Sequence, residues 1–271
     1  MTQTEKGRAF RALHQRDEAF IIPNPWDVGS ARLLQTLGFE ALATTSGGFA
    51  FSIGKQDGAV DRDTMLAHAA ALVSATDLPV SADLENGYAD KPAQVAETVR
   101  LAAEAGLAGC SVEDVPQNRG RSPYEISLAA ERVRAAAEAA HSLAFPFTLT
   151  ARAENFIVGR PDLRDTVARL QAFQEAGADV LFAPGLKTRE DIRTVVQSLD
   201  RPINVIMGLQ GVQLSLADLS ELGVRRVSVG SALARAAISA FLRAAREMQA
   251  HGTFTFAEDS VKYADLNAMF G

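Results

Sequence analysis

The chain has 271 residues, 47% of them hydrophobic, and carries 27 Lys plus Arg against 33 Asp plus Glu, a net charge of -6 at pH 7. That acidic excess repels phosphate backbones and anionic bilayers, which argues against nucleic acid or a membrane surface as a partner. The single cysteine, Cys110, can form neither an internal disulfide nor a thiolate metal cage, so a reducing cytoplasm is the expected setting.

The opening stretch MTQTEKGRAFRALHQRDEAF is polar and charged, without the apolar core of a secretory signal, and no later run is long and uncharged enough to span a bilayer. From there, short apolar runs bounded by turn residues alternate with longer stretches of helical spacing. AFII (19–22) predicts a first buried strand and VGSARLLQTLG a helix after it. ALATT (41–45) is followed by RDTMLAHAAALVSAT, LPVSADLE (78–85) by PAQVAETVRLAAEAG, and GCSVED (109–114) by LAAERVRAAAEAAHS. FTLTARAE (147–154) precedes LRDTVARLQAFQEAG, ADVLFAP (178–184) precedes REDIRTVVQSL, and PINVIM (202–207) precedes LADLSELG. RRVSVG (225–230) and the long helix ALARAAISAFLRAAREMQAHG close the series.

Glycine recurs where several of these helices should stop, since it tolerates the left-handed position past a helix end. Eight strand-helix units without an intervening linker predict one (β/α)8 TIM barrel over residues 1–271, with a C-terminal helical extension. An open doubly wound sheet uses the same local pattern, but no glycine-rich dinucleotide turn follows the first strand. The segment 252–271 holds Phe254, Phe256, Val261, Leu266, Met269 and Phe270, too many apolar residues for a solvated end. It is expected to pack on its own barrel or on a neighbouring subunit.

In such a barrel the chemistry sits at the carboxyl ends of the strands. There the sequence places Thr45, Ser46, Gly47 and Gly48 after the second strand, Asp83 and Glu85 at the third, Glu113 and Asp114 at the fourth, and Arg152 and Glu154 at the fifth. Side chains alternate along a strand, so Asp83 and Glu85 are expected to share a face, as are Arg152 and Glu154. If Asp83, Glu113 and Arg152 face inward, several carboxylates converge and repel one another, a conflict that a divalent cation removes. Magnesium suits oxygen donors, while zinc favours His or Cys, and neither stands at a strand end. The four histidines, His14, His68, His141 and His251, are read as surface or helix polar residues. Asp114, of opposite parity to Glu113, is read as a capping or pairing residue, and Cys110 as packing. Consecutive backbone N-H groups beside the Ser46 hydroxyl form either a plain turn or a nest for an anion.

TTSGG, IGKQD, ADLENGY, SVED and TARAENF, in this order and spacing, resemble the isocitrate lyase and phosphoenolpyruvate mutase superfamily, and FIIPNPWDVGSARLLQTLGFEALATTS resembles its first β-α-β unit. The resemblance implies a barrel dependent on Mg2+, with Mn2+ as the alternative ion, acting on small 2-oxo or 2-hydroxy acids or phosphonates next to an enolate. It makes Asp83 the direct metal ligand, with Glu85 where the family usually has Asp, and Asp57 and Glu113 the holders of metal-bound waters. Ser46, Gly47 and Gly48 would receive a substrate carboxylate. Arg152, Glu113 and Asn118 would form the catalytic set, Arg152 also binding substrate. A homotetramer exchanging terminal helices is the implied assembly.

Two departures narrow the chemistry. The isocitrate and methylisocitrate lyase branch carries a Lys-Lys-Cys-Gly-His motif after the fourth strand, whereas VPQNRGRSPYEIS here has no cysteine or histidine. The phosphonate branch has a histidine after the sixth strand, and this chain has Pro184. Decarboxylation or retro-aldol cleavage of a small di- or tricarboxylate is therefore the expectation, with segment 115–126, including Asn118, Arg119 and Arg121, as a lid. Phosphonate chemistry and a non-catalytic metabolite-binding barrel stand as alternatives.

Overall fold

The computed structural model describes residues 1–117 and 122–271. Its helices and strands follow in the order α1 (Gln3–Leu13), β1 (Phe20–Ile22), α2 (Val28–Thr36), β2 (Leu42–Ala43), α3 (Ser46–Ser52), α4 (Arg62–Ala75), β3 (Val80–Asp83) and α5 (Pro92–Glu104). They continue with β4 (Gly109–Glu113), α6 (Ile126–His141), β5 (Thr148–Arg152), α7 (Leu163–Glu175), β6 (Val180–Phe182), α8 (Arg189–Gln197), β7 (Ile203–Ile206) and α9 (Leu216–Glu221). β8 (Arg226–Ser228), α10 (Ala232–His251) and α11 (Tyr263–Phe270) complete the chain.

The eight strands among the described residues are parallel and run in the order β1-β8-β7-β6-β5-β4-β3-β2. β1 and β2 are the two ends of this sheet, and the Ala43 N-H donates to the Pro23 carbonyl at 3.1 Å to bring them together. The result is a nearly closed (β/α)8 barrel with helices around it. Each strand falls inside one of the eight apolar runs, trimmed at its ends, because a parallel strand covered by helices on its outer face needs apolar residues there.

Helices α2, α4, α7, α8 and α9 begin at Asp27, Asp61, Asp162, Thr188 and Ser215, whose side chains accept from backbone N-H groups of the first turn. Those donors otherwise lack partners, so the caps fix where each helix starts. The sequence reading did not anticipate α1. Its Thr2–Glu5 capping box holds the start, and buried Phe10 and Leu13 anchor it against the barrel.

α10 is nearly bare, with Ala234 its one buried residue, while Phe241 is 68% exposed. Beyond it the chain returns to the barrel: α11 lies against α2, where Arg32 donates to the Phe270 carbonyl at 2.6 Å and sits over the Phe270 ring. No helix among the described residues is long and apolar enough to cross a membrane.

Candidate active site

A cavity of about 680 Å³ opens at the carboxyl ends of the strands and runs down into the barrel. Asp57, Asp83, Glu113, Arg152 and Glu154 line it, together with Ser46, Gly47, Pro184 and the inward polar residues Asn24, Asn204 and Arg226.

Arg152, the last residue of β5, organises the mouth. Its Nη1 lies 2.8 Å from Asp83 Oδ1, its Nη2 3.2 Å from Glu113 Oε2 and its Nε 2.9 Å from Glu154 Oε1. Glu113 and Arg152 are register partners across β4 and β5, so these two side chains leave the sheet side by side. The Asp83 carboxylate is held from the other side as well, since the Ser46 backbone N-H and hydroxyl both donate to its Oδ2, at 3.2 and 2.8 Å. Phe182 packs against the guanidinium face, 5.4 Å from ring centroid to the guanidinium carbon.

Three carboxylates meet one cation here, and the enclosure sharpens the imbalance. Burial pushes the Glu113 carboxyl well above the ordinary glutamate range; Arg152 opposes this, while Glu154, Asp83 and Glu85 reinforce it. Burial also works against the charge on Arg152, yet Glu154, Asp83 and Glu113 push its pKa well above the ordinary arginine value. The arginine stays charged, and the Glu113 carboxyl is held above its ordinary range by its enclosure.

The donor set suits a hard divalent cation. Among the described residues, no His or Cys lines the cavity, and the carboxylates of Asp57, Asp83, Glu113 and Glu154 outnumber the guanidiniums of Arg152 and Arg226. No three His, Cys, Asp or Glu among the described residues gather tightly enough to cage a metal on their own. An ion that keeps several waters and takes one or two carboxylates directly, as magnesium does, needs no such cage.

The remaining candidates separate. Ser46 and Gly47 line the cavity, but Gly48 does not: its Cα faces Thr45, Trp26 and Ala234, where an added Cβ would come within 2.6 Å of Thr45 Cγ2. The Ser-Gly-Gly stretch is the first turn of α3, capped by Thr45, which accepts from the Gly48 N-H at 3.2 Å. Two of the nest's donors are thus already engaged, Gly48's by Thr45 and Ser46's by Asp83. Asn118 lies outside the described residues.

Glu85 departs from the expected alternation. β3 ends at Asp83, and Glu85 adopts a left-handed backbone at φ 48°, as does Tyr88 at φ 56°, so strand parity no longer dictates where its side chain goes. Its side chain is buried and does not line the cavity. The turn is braced from α6 by buried Arg132, which donates to the carbonyls of Asn86, Ala89 (2.9 Å) and Glu113 (3.0 Å).

Asp114 points away from the cavity into a pair with Arg169 at 3.1 Å and accepts from the Glu154 N-H at 2.9 Å. Cys110 is fully buried in β4. His14 corrects the surface reading of the histidines: it is 6% exposed, wedged edge-on between Phe10 and Phe20 beneath the barrel. None of the four histidines lines the mouth cavity.

Sequence reasoning passed over Asn24, Asn204 and Arg226. Asn24 accepts from the Val229 and Gly230 N-H groups at 2.8 and 2.9 Å and donates to the Thr44 carbonyl at 3.0 Å, joining the tops of β8, β1 and β2. Its signal was available, a polar residue between two prolines at the end of an apolar run.

The family model described as phosphoenolpyruvate phosphomutase matches residues 10–249. Among solved structures, a candidate lyase/mutase from Burkholderia cenocepacia J2315 is 58% identical, with a TM-score of 0.96 over 99% of this chain and 96% of that one. A 2,3-dimethylmalate lyase, itself a member of the PEP mutase/isocitrate lyase superfamily, is 29% identical, with a TM-score of 0.85 over 100% and 95%. The oxaloacetate decarboxylase of Paraburkholderia xenovorans is 29% identical over 84% of this chain and 76% of its own length.

Proposed function

We propose, given that this chain belongs to the phosphoenolpyruvate phosphomutase family, that it is a magnesium-dependent carbon-carbon lyase. Its substrate is a small 2-oxo or 2-hydroxy di- or tricarboxylate, cleaved by decarboxylation or in the retro-aldol sense through an enolate. The observation that carries this reading is the Arg152 guanidinium forked across Asp83, Glu113 and Glu154 at the cavity mouth. After these three contacts the guanidinium has two N-H donors left, which would meet an anionic group in an enclosed site where each charge counts for more than in water.

In this reading Arg152 and the Gly47 N-H in the first turn of α3 take the substrate carboxylate, Ser46 holds Asp83 in place, Glu113 stands beside the reacting group, and the cavity walls exclude water. Asp83 would hold magnesium directly, with Asp57 and Glu113 against its waters and Glu85 buried alongside. When bound, the ion supplies positive charge where the enolate forms. Pro184 at the cavity wall, where the phosphonate branch has histidine, favours carbon over phosphorus chemistry. The kinship to an oxaloacetate decarboxylase and a dimethylmalate lyase supports the same substrate class.

The test is a panel of 2-oxo and 2-hydroxy diacids assayed with magnesium and again with EDTA. Turnover of at least one that disappears with EDTA is expected. No turnover together with no magnesium binding by calorimetry overturns the reading.

A further inference from the structure

Arg226 stands at the first position of β8 with its side chain turned into the barrel. It is 5% exposed and lines the lower part of the cavity. Its hydrogen bonds all go to neutral groups. Nε donates to Asn204 Oδ1 at 2.9 Å, Nη2 to Thr150 Oγ1 at 2.9 Å, and Nη1 lies 3.4 Å from His14 Nε2. His14 is uncharged, because burial and the nearby Arg226 lower its pKa to about 3, and its Nδ1 lies 2.8 Å from the Phe10 carbonyl. No carboxylate among the described residues pairs with Arg226, and burial alone lowers its pKa to about 9.

A guanidinium has five N-H donors, so donors remain after these three contacts. A buried charge with no counter-ion is costly, and it is found where an ion or ligand completes it. The cavity brings such a ligand within reach. Thr150, which holds one edge of the Arg226 fork, is two residues before Arg152 on the same face of β5, a strand step of about 6.6 Å. Two arginines therefore sit at two depths of one cavity, Arg152 surrounded by carboxylates and Arg226 with none.

We infer that Arg226 is a distal carboxylate subsite, which makes the ligand an elongated dianion with one end at the mouth and the other on the barrel floor. This rests on the cavity being the substrate site of the proposed lyase and specifies the substrate further. A four-carbon diacid, with three C-C bonds of about 1.5 Å each and a hydrogen bond of about 2.9 Å at each end, reaches about 10 Å and so covers the strand step between the two levels.

Calorimetry in the presence of magnesium tests it without needing turnover. The probes are succinate, its monoamide succinamate, and oxalate, which has no carboxylate beyond the pair that would chelate the magnesium. Wild-type protein is expected to bind succinate at least ten-fold tighter than succinamate. Arg226→Met should lose that preference while oxalate binding changes less than two-fold. Asn204→Asp, nearly isosteric, puts a carboxylate where Arg226 now has an amide oxygen, and should abolish the preference even if Arg226→Met does not fold. Equal binding of succinate and succinamate by wild type, or an equal loss of succinate and oxalate in folded variants, overturns the subsite. A preference for succinate over succinamate in a protein that turns over no diacid removes the lyase reading and keeps the subsite; turnover without the preference does the reverse.

Discussion

Ser46 and Asp83 are joined twice, the serine N-H and hydroxyl both donating to the same carboxylate oxygen at 3.2 and 2.8 Å. The other oxygen of Asp83 faces Arg152 at 2.8 Å, so the carboxylate is fixed from the neighbouring β2 on one side and from β5, two strands away, on the other. Removing the hydroxyl in Ser46→Ala leaves the backbone contact and frees one degree of motion. Loss of a charge-assisted hydrogen bond of about 1.5–3 kcal/mol predicts a fall in kcat/KM on the order of 10- to 100-fold with little change in Tm. Steady-state kinetics beside a thermal melt checks this, and unchanged kcat/KM refutes it.

Arg152→Lys keeps the charge and gives up the fork. A point ammonium cannot reach Asp83, Glu113 and Glu154 together, so activity should fall by about 100-fold or more while the fold persists. Arg152→Met leaves the carboxylates facing one another without a cation. Its stability, measured by denaturant titration, should rise as pH falls from 8 to 5, since Glu113, whose carboxyl burial already pushes up, takes a proton that the unfolded chain does not. A pH-independent stability difference from wild type would count against the cluster.

Cys110 predicts a negative result. The residue is fully buried in β4 and burial raises its thiol pKa, so it is neither accessible nor ionised. Cys110→Ala should retain kcat/KM within about two-fold while costing some stability through the small cavity it leaves. A large loss of kcat would restore the cysteine as an acid/base.

His14 should show in acid stability. Its folded pKa of about 3 lies below the unfolded value near 6.5, because burial and Arg226 oppose the charge. Between those values the unfolded chain takes up a proton that the folded chain refuses, so stability is lost as pH falls through that window, at up to about 1.4 kcal/mol per pH unit. In His14→Gln this part of the slope disappears. Urea titrations of both proteins from pH 7 to pH 4 should diverge, and parallel curves would rule out the assignment.

How much of this was legible in the residues varies with the physics behind each element. The eight strands were legible because buried parallel strands need continuous apolar runs, and Asp83, Glu113 and Arg152 because they stand at the ends of those runs. Glu85 misled because alternation holds only inside a strand, and the chain turns left-handed at this residue. Gly47 and Gly48 looked alike as a turn, yet they occupy successive positions of a capped helix, one toward the cavity and one against Trp26. α1 was obscured by charged residues that surround a two-residue apolar anchor. Arg226 escaped notice because attention went to strand ends, and it begins its strand.

The C-terminal segment carries an assembly prediction. Ile238, Phe241, Leu242 and Met248 of α10 are each more than a third exposed, as is Phe254 beyond it, on a helix with one buried residue. We propose that a second copy of the chain covers this face, and that a tetramer results. Light scattering should give a multimer for the full chain and smaller species both for the variant Phe241→Asp and for a chain ending before Phe254. A monomer in every sample removes the proposal.

The sheet closes between β1 and β2 on two hydrogen bonds, from the Ala43 N-H to the Pro23 carbonyl and from Asn24 to the Thr44 carbonyl, at a strand of only two residues. Breathing of the molecule should begin there, as at a seam in a stave-built cask, and the Ala43 amide should trade its proton for deuterium sooner than those of β4 and β5. Because Thr45 and Ser46 hang from the same short strand, any parting of that seam also slackens the grip on Asp83, which ties the order of the cavity mouth to a thinly stitched part of the wall.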